Sequence, residues 1–321
     1  MDLDRMLEMC RRDQWRTEDL DWSRTPRLLP RDAEIDVVQL FTNMSAIERL
    51  AGRMFEEQTR RAEDPRLRAI FESFVVDEER HADVAQRLAR FYDVHHYQDY
   101  GVEPALARFT PAFSDAVQFL SDDVANSYIT GGELILDVAL LRSLNDYVND
   151  PMSQEAMALI NRDESRHIAV DYHMTEYYAS DDYAKRLEGS PGQPVSARAR
   201  AAWSFANVLY YAKPFFQHVF FEPMDRVDPS GRRLREAFKR MQLLSFKPGL
   251  QRRPFVMFMQ ALHYAFNHPI AGPVVGRVAA RIAGIEPRFM ARLYTDAEAN
   301  AARTASFDQL AEEALNAKFE N

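Results

Sequence analysis

Two short segments carry residues whose types and spacing could do chemistry. Asp77-Glu78-Glu79-Arg80-His81 and Asp163-Glu164-Ser165-Arg166-His167 share the pattern D-E-x-R-H. In each, a glutamate precedes a histidine by three positions, so on a helix the two share a face and can reach one point in space. Each glutamate also lies 13 residues after a turn proline, Pro65 or Pro151. A carboxylate and an imidazole aimed at one point, twice over, is the donor set of a metal site.

The turns extend the pattern. Glu63-Asp64-Pro65 and Asn149-Asp150-Pro151 each end one helix and open the next, because proline is tolerated in a first helical turn and not in the interior. In an antiparallel hairpin, residues equally far from the turn lie at one height. Counting back places Glu48 opposite Glu78 and Glu133 opposite Glu164, at separations of 30 and 31 residues. Glu56 and Glu57 are alternatives in the first helix but lie nearer the turn. Taken singly, any of these glutamates reads as a solvated surface residue. Together, four carboxylates and two imidazoles in a bundle core are too costly without positive charge. Two divalent ions neutralise four carboxylates. Oxygen ligands with a few imidazoles suit iron or manganese better than zinc.

Apolar residues must position this set. From Ala33 they recur at three and four (Val37, Leu40, Phe41, Met44, Ile47, Leu50, Ala51, Met54), which predicts a helix up to the first turn. A second helix is expected over Arg66–Tyr92, a connection holding Pro104 and Pro111 over roughly 93–113, a third helix from Ser114 to about Leu144, and a fourth from Met152 to about Ala179. Two hairpins joined by a long crossover are the layout of a ferritin-like four-helix bundle. Beyond a linker at Gly189-Ser190-Pro191-Gly192, segments near 196–221, 230–246, 252–267 and 287–317 also look helical, the first with a kink at Pro214. The fold class expected is all-α: an N-terminal arm (1–32, a surface arm or short helix), the bundle (33–184) and a helical C-terminal extension packed on it (185–321).

With these residues in view, the chain resembles the di-iron carboxylate proteins of the ferritin-like superfamily, whose members include the ribonucleotide reductase small subunit, soluble acyl-carrier-protein desaturases and bacterial multicomponent monooxygenases. The resemblance covers residues 33–180. It implies two bound iron ions, with manganese admissible at one site. Glu48 and Glu133 would be terminal ligands, Glu78 and Glu164 bridging ligands, and His81 and His167 would bind one iron each. Asp77 and Asp163 would support the ligand histidines, with Arg80 and Arg166 in ion pairs around them. The stretch from Asn149 to His167 is similar to the desaturase branch. Two departures narrow the function. Ala85 stands where the reductase subunit keeps its radical tyrosine, and Ile160 where the aminobenzoate N-oxygenases keep a third histidine. Storage ferritins are shorter, lack two Glu-x-x-His sites and would leave residues 185–321 unexplained.

Other residues have readings of their own. Asp137 follows Glu133 by four and Asp171 follows His167 by four, so each sits one turn along a metal-bearing face, as a proton relay or as an edge residue reaching solvent or an arginine. Gly131-Gly132 leaves room for dioxygen or substrate, or permits close packing. His95, His96, His173, His218, His263 and His268 have no partner at ligand spacing. Tyr172, Tyr177 and Tyr178 read as packing. Met257, Met259, Phe215-Phe216 and Phe220-Phe221 read as core or as the wall of an apolar channel.

Composition sets the outer limits. Of 321 residues 46% are hydrophobic, only 11 are glycine, and the net charge is −9, the wrong sign for a generic nucleic-acid binder. One cysteine, Cys10, excludes a thiolate metal site or disulfide framework. The start shows no apolar leader, and Phe255–Phe266 is too short to span a bilayer, so a cytoplasmic protein without a transmembrane segment is expected. Charge is divided unevenly: residues 1–184 carry −17, residues 185–293 carry +12 and residues 294–321 carry −4. The basic stretch 232–253 either packs against the acidic half or docks an acidic partner or anionic membrane.

The function expected is a dioxygen-dependent di-iron oxidase or oxygenase. It would hydroxylate, desaturate or N-oxygenate a small-molecule or carrier-linked organic substrate, with electrons from an external donor. A homodimer is compatible with the chain. The rivals are a ferroxidase or peroxide-scavenging metal-handling protein, and a non-catalytic helical interaction protein.

Overall fold

The computed structural model describes residues 1–189 and 194–317. The expected linker falls largely on 190–193 and so lies outside the described residues, although Gly189 ends a helix. The fold is all-α, with no strand among the described residues. A short helix, α1 (Leu3–Arg12), precedes the bundle helices α2 (Arg31–Arg61) and α3 (Pro65–Tyr92). A crossover helix, α4 (Pro104–Val117), leads to the third bundle helix, which runs continuously as α5 (Asp122–Glu133), a π-helical segment (Leu134–Leu141) and α6 (Arg142–Val148). The fourth is α7 (Pro151–Ala179).

Both hairpins close as their sequences dictate. Pro65 and Pro151 are the first helical residues, and the preceding aspartates cap them: Asp64 Oδ1 accepts from Arg66 N at 2.8 Å and Asp150 Oδ1 from Met152 N at 2.9 Å. Asn149 takes the left-handed conformation (φ 47°) that ends α6. Asp150 also accepts from Tyr92 Oη at 2.8 Å and Arg27 N at 3.0 Å, tying the second turn to the end of α3 and to the N-terminal arm.

Three expectations for residues 1–184 need correction. The third bundle helix begins at Asp122, not Ser114, because the crossover forms its own helix and breaks at 118–121. Pro111 sits inside α4 without ending it. The N-terminal arm does form a short helix, but it is no mere surface arm: Met6, Cys10 and Trp15 are buried against the bundle.

The extension comprises α8 (Asp181–Gly189), α9 (Val195–Phe215), a second π-helical segment (Phe216–Phe221), α10 (Glu222–Val227), α11 (Arg232–Leu244), α12 (Pro254–Asn267), α13 (Gly272–Ala283), α14 (Pro287–Met290), α15 (Asp296–Thr304) and α16 (Phe307–Ala317). Pro214, where a kink is expected, lies inside α9, and the bonding changes to π-helical just after it at Phe216. Helix α13 was not anticipated, and the single segment expected over 287–317 is three helices. α11 packs on the π-helical segment of the third bundle helix and α16 on α7, so the main apolar core runs from Met6 to Ala317, beside a small second cluster of Ala280, Ala283 and Met290.

Much of the basic stretch is spent on ion pairs. Arg233 meets Asp146 of the bundle at 2.5 Å, Lys239 meets Glu298 at 2.8 Å, and Arg240 meets Glu313 at 2.8 Å. The stretch Asp122–Val148 is long and apolar enough to cross a membrane, although no such segment is expected from the sequence; it is the third bundle helix, 72% of its most apolar 18-residue window is buried, and it carries Glu133.

Candidate metal centre

Helical register brings six side chains to one level of the bundle. Glu48 comes from α2, Glu78 and His81 from α3, Glu133 from the end of α5, and Glu164 and His167 from α7. They form two overlapping groups. Glu48, Glu78, His81 and Glu164 each offer a ligand atom within 4.8 Å of the others; so do Glu78, Glu133, Glu164 and His167. Glu78 and Glu164 belong to both groups, which is the position of carboxylates that bridge two ions. All six are buried. α2 approaches α3 closely here, since a Cβ on Gly52, one turn beyond Glu48, would lie 3.3 Å from Glu78 Cβ.

The hydrogen bonding of the six is incomplete in a telling way. Both oxygens of Glu48 and Oε2 of Glu133 are buried without a hydrogen-bond partner, while the inward nitrogens meet only the other members of the set: His81 Nδ1 lies 3.0 Å from Glu164 Oε1 and His167 Nδ1 3.1 Å from Glu78 Oε1. Buried polar atoms are normally satisfied. Atoms left open toward a common centre fit cations, and the donor set of four carboxylates and two imidazoles fits iron or manganese.

A crossed network holds the histidines. His81 Nε2 lies 3.1 Å from Oδ2 of Asp163, and His167 Nε2 lies 3.6 Å from Oδ2 of Asp77, so each histidine is served by the aspartate of the other motif. Arg80 pairs with its own Asp77 and reaches Asp163 at 3.1 Å; Arg166 pairs with Asp163 at 2.7 Å and reaches Asp77 at 3.3 Å. The N-terminal arm completes this layer. Trp15 Nε1 donates to Asp163 Oδ2 at 2.6 Å, Gln14 Nε2 donates to Asp77 Oδ1 at 3.2 Å, and Arg80 Nη1 donates to Gln14 Oε1 at 2.9 Å. Sequence reasoning missed Trp15 and Gln14, which have no periodic or spacing relation to the motifs. The only signal was a tryptophan in a charged arm.

Electrostatics follow from the crowding. Burial, then repulsion from Glu78 and Glu164, holds the carboxyls of Glu48 and Glu133 well above the usual carboxylate range. Burial pushes Glu78 up as well, whereas His167 and His81 outweigh burial and hold Glu164 well below that range. Burial opposes the charged form of His81, yet bonds to Asp163 and Glu164 push it up to about 9. His167 is raised for similar reasons, and Asp77 and Asp163 are held low against burial chiefly by the histidines they face. Without metal, protons supply the missing positive charge.

Apolar groups wall the site. The Phe74 ring lies 4.1 Å and that of Phe55 5.1 Å from the His167 ring, and Trp15 stacks 6.5 Å from His81. Ala85 and Ile160, the two departures noted above, are fully buried. Asp137 and Asp171 are also fully buried, so neither is an edge residue reaching solvent. Both carboxylate oxygens of Asp171 lack a hydrogen-bond partner, and burial first, then the charges of Glu164 and Glu78, pushes its carboxyl well up. Gly132 is exposed with open space beside it, and a Cβ on Gly131 would lie an ordinary 3.6 Å from Met241 Sδ, so tight packing does not require the glycine pair.

The remaining histidines stand elsewhere. His95 bonds Glu34 at 2.7 Å, His218 bonds Glu222 at 2.8 Å, and none of the six joins either metal-holding group. Phe215, Phe220 and Phe221 are core residues, while Met257 is exposed and cannot line an interior channel. Compared with known proteins, the chain matches no family model and no curated protein sequence.

Proposed function

We propose that the chain is a dioxygen-dependent di-iron oxidase or oxygenase acting on an organic substrate. Glu48 and His81 would hold one iron, Glu133 and His167 the other, and Glu78 and Glu164 would bridge. The observation that carries this reading is the pair of overlapping four-residue groups sharing two carboxylates, all buried, with both oxygens of Glu48 and Oε2 of Glu133 lacking a hydrogen bond. Bound ferrous iron would supply the electrons and coordination sites that activate dioxygen.

The protein's own contribution is arrangement. Asp163 and Asp77 would fix the ring orientation of His81 and His167 so that Nδ1 of each faces the centre. Phe55 and Phe74 exclude water beside His167. Four carboxylates match the charge of two ferrous ions, so metal loading leaves the core neutral. Manganese at one site is compatible with the same donors. No thiolate cluster is possible with one cysteine, so turnover would draw on an external electron donor.

The test is anaerobic loading with ferrous iron, exposure to dioxygen, and measurement of oxygen uptake with and without an external reductant. The proposal predicts an oxygen-dependent absorption change and uptake that continues only while reductant lasts. Glu78→Ala combined with Glu164→Ala should abolish both. Uptake that tracks ferrous oxidation alone, with accumulating ferric product and no effect of reductant, would favour the metal-handling rival.

A further inference from the structure

The extension contains a helical hairpin built inside out. In α13 the residues turned inward are small: Gly276, Ala279, Ala280 and Ala283. The outward face holds Val274 (79% exposed), Val278 and Ile282, with Ile270 in the preceding turn 82% exposed. α12 is mostly apolar yet has no buried residue, and it exposes Met257 and Tyr264, seven positions apart on one face. The inward glycines explain the packing. A Cβ on Gly272 would lie 2.5 Å from Phe266 O, and one on Gly276 3.3 Å from Phe266 Cδ2. The helices therefore meet so closely that small residues must face inward, which sends the branched ones outward. A water-facing helix normally shows the reverse order.

The hairpin itself, residues 254–285, carries two arginines and no acidic residue, and Glu286 just beyond it pairs with Arg288. Arg277 and Arg281 are exposed on α13, each three residues beyond an outward valine, and neither forms an ion pair with a described residue. Aliphatic side chains interleaved with long cations suit an apolar phase with an anionic surface: the aliphatic groups enter the acyl boundary and the guanidinium groups reach back to the headgroups. A two-fold contact with a second copy would set Arg277 and Arg281 against their equivalents with no acidic side chain in the hairpin to answer them, which disfavours self-association through this face.

We infer that the α12–α13 hairpin is a docking surface for an anionic lipid bilayer, bound at the interface without spanning it. The surface is independent of the metal centre, so the proposal stands or falls apart from the di-iron reading.

Co-sedimentation of the full chain with phosphatidylglycerol-containing vesicles and with pure phosphatidylcholine vesicles tests it. Binding is expected to the anionic vesicles and to fall as sodium chloride rises. Arg277→Ala with Arg281→Ala should weaken it about 30-fold at low salt, from the loss of two surface cations. Val274→Ser with Val278→Ser should weaken it while leaving the salt dependence unchanged. All four positions are exposed, and unchanged circular dichroism checks that the variants fold. Absence of binding to anionic vesicles, or equal binding by all three proteins, would overturn the inference. So would a dimer in sedimentation equilibrium that the valine variant breaks, or an acidic protein partner captured through this face without any vesicle binding.

Discussion

Asp163 Oδ2 stands 3.1 Å from His81 Nε2 and 2.6 Å from Trp15 Nε1, so one carboxylate joins the N-terminal arm to a histidine of the centre on another helix. The same carboxylate meets Arg80 and Arg166. With the arm, both motifs and both arginines on one network, changes distant in sequence should register at the candidate metal centre.

Asp163→Asn should lower metal affinity by about 10- to 100-fold, the range for loss of an outer partner of a ligand histidine. Asn keeps an acceptor for His81 Nε2–H but gives up the charge. Calorimetric titration with ferrous or manganous ion under anaerobic conditions measures it. Unchanged affinity would remove Asp163 from the account of the site.

Trp15→Phe keeps the ring beside His81 and deletes the donor to Asp163. A hydrogen bond to a charged group contributes about 1.5–3 kcal/mol. Urea unfolding of the metal-free chain should show a loss in that range, and unfolding of a Trp22→Phe control should not involve Asp163 at all, since Trp22 Nε1 donates instead to the Thr17 carbonyl.

Stability of the metal-free protein should fall with rising pH. His81, with a folded value of about 9 against 6.5 for the free side chain, contributes stability that is complete below 6.5 and lost as pH passes 9. Glu48 and Glu133 act in the same direction: they stay protonated in the fold while the unfolded chain ionises above about 4.5. Asp163 and Asp77, held low, contribute in the opposite sense, and their share is lost on acidification below about 3.8. Thermal melts from pH 5 to pH 9 (roughly the span these values cover) should decline, and metal loading should flatten the decline. Metal binding should release protons and tighten with pH.

Glu133→Gln should stabilise the metal-free protein at pH 8 while weakening metal binding, because an amide of the same shape has no proton to lose in a buried site. A variant less stable than the parent without metal would show that Glu133 is not held as a neutral acid.

Much of the bundle was legible because its signals are local. Asp-Pro turns, three-and-four spacing and two Glu-x-x-His steps specify the helices, and equal distance from a turn specifies height, which leads to Glu48 and Glu133. What was hidden depends on distant chain. Trp15 reaches Asp163 across 148 positions. The crossing of Asp77 to His167 and Asp163 to His81 needs the angle between α3 and α7, which no spacing encodes. Pro104 and Pro111 point to a connection because proline is rare inside a helix, yet Pro104 opens α4 and the helix continues through Pro111. The π-helical segment beginning just after Glu133 left no mark in a uniformly apolar run. Helix α13 was overlooked because its bulky residues face outward, the opposite of the pattern that identifies a packed helix.

The central claim is that the six buried side chains bind two metal ions together. Anaerobic loading with ferrous iron, removal of loosely held metal and elemental analysis test it most directly. The account predicts two irons per chain in the parent and none retained by Glu78→Ala with Glu164→Ala, whose fold is checked by circular dichroism. Fewer than about 0.5 iron per chain in the parent, or equal iron in the parent and the folded double variant, would contradict it.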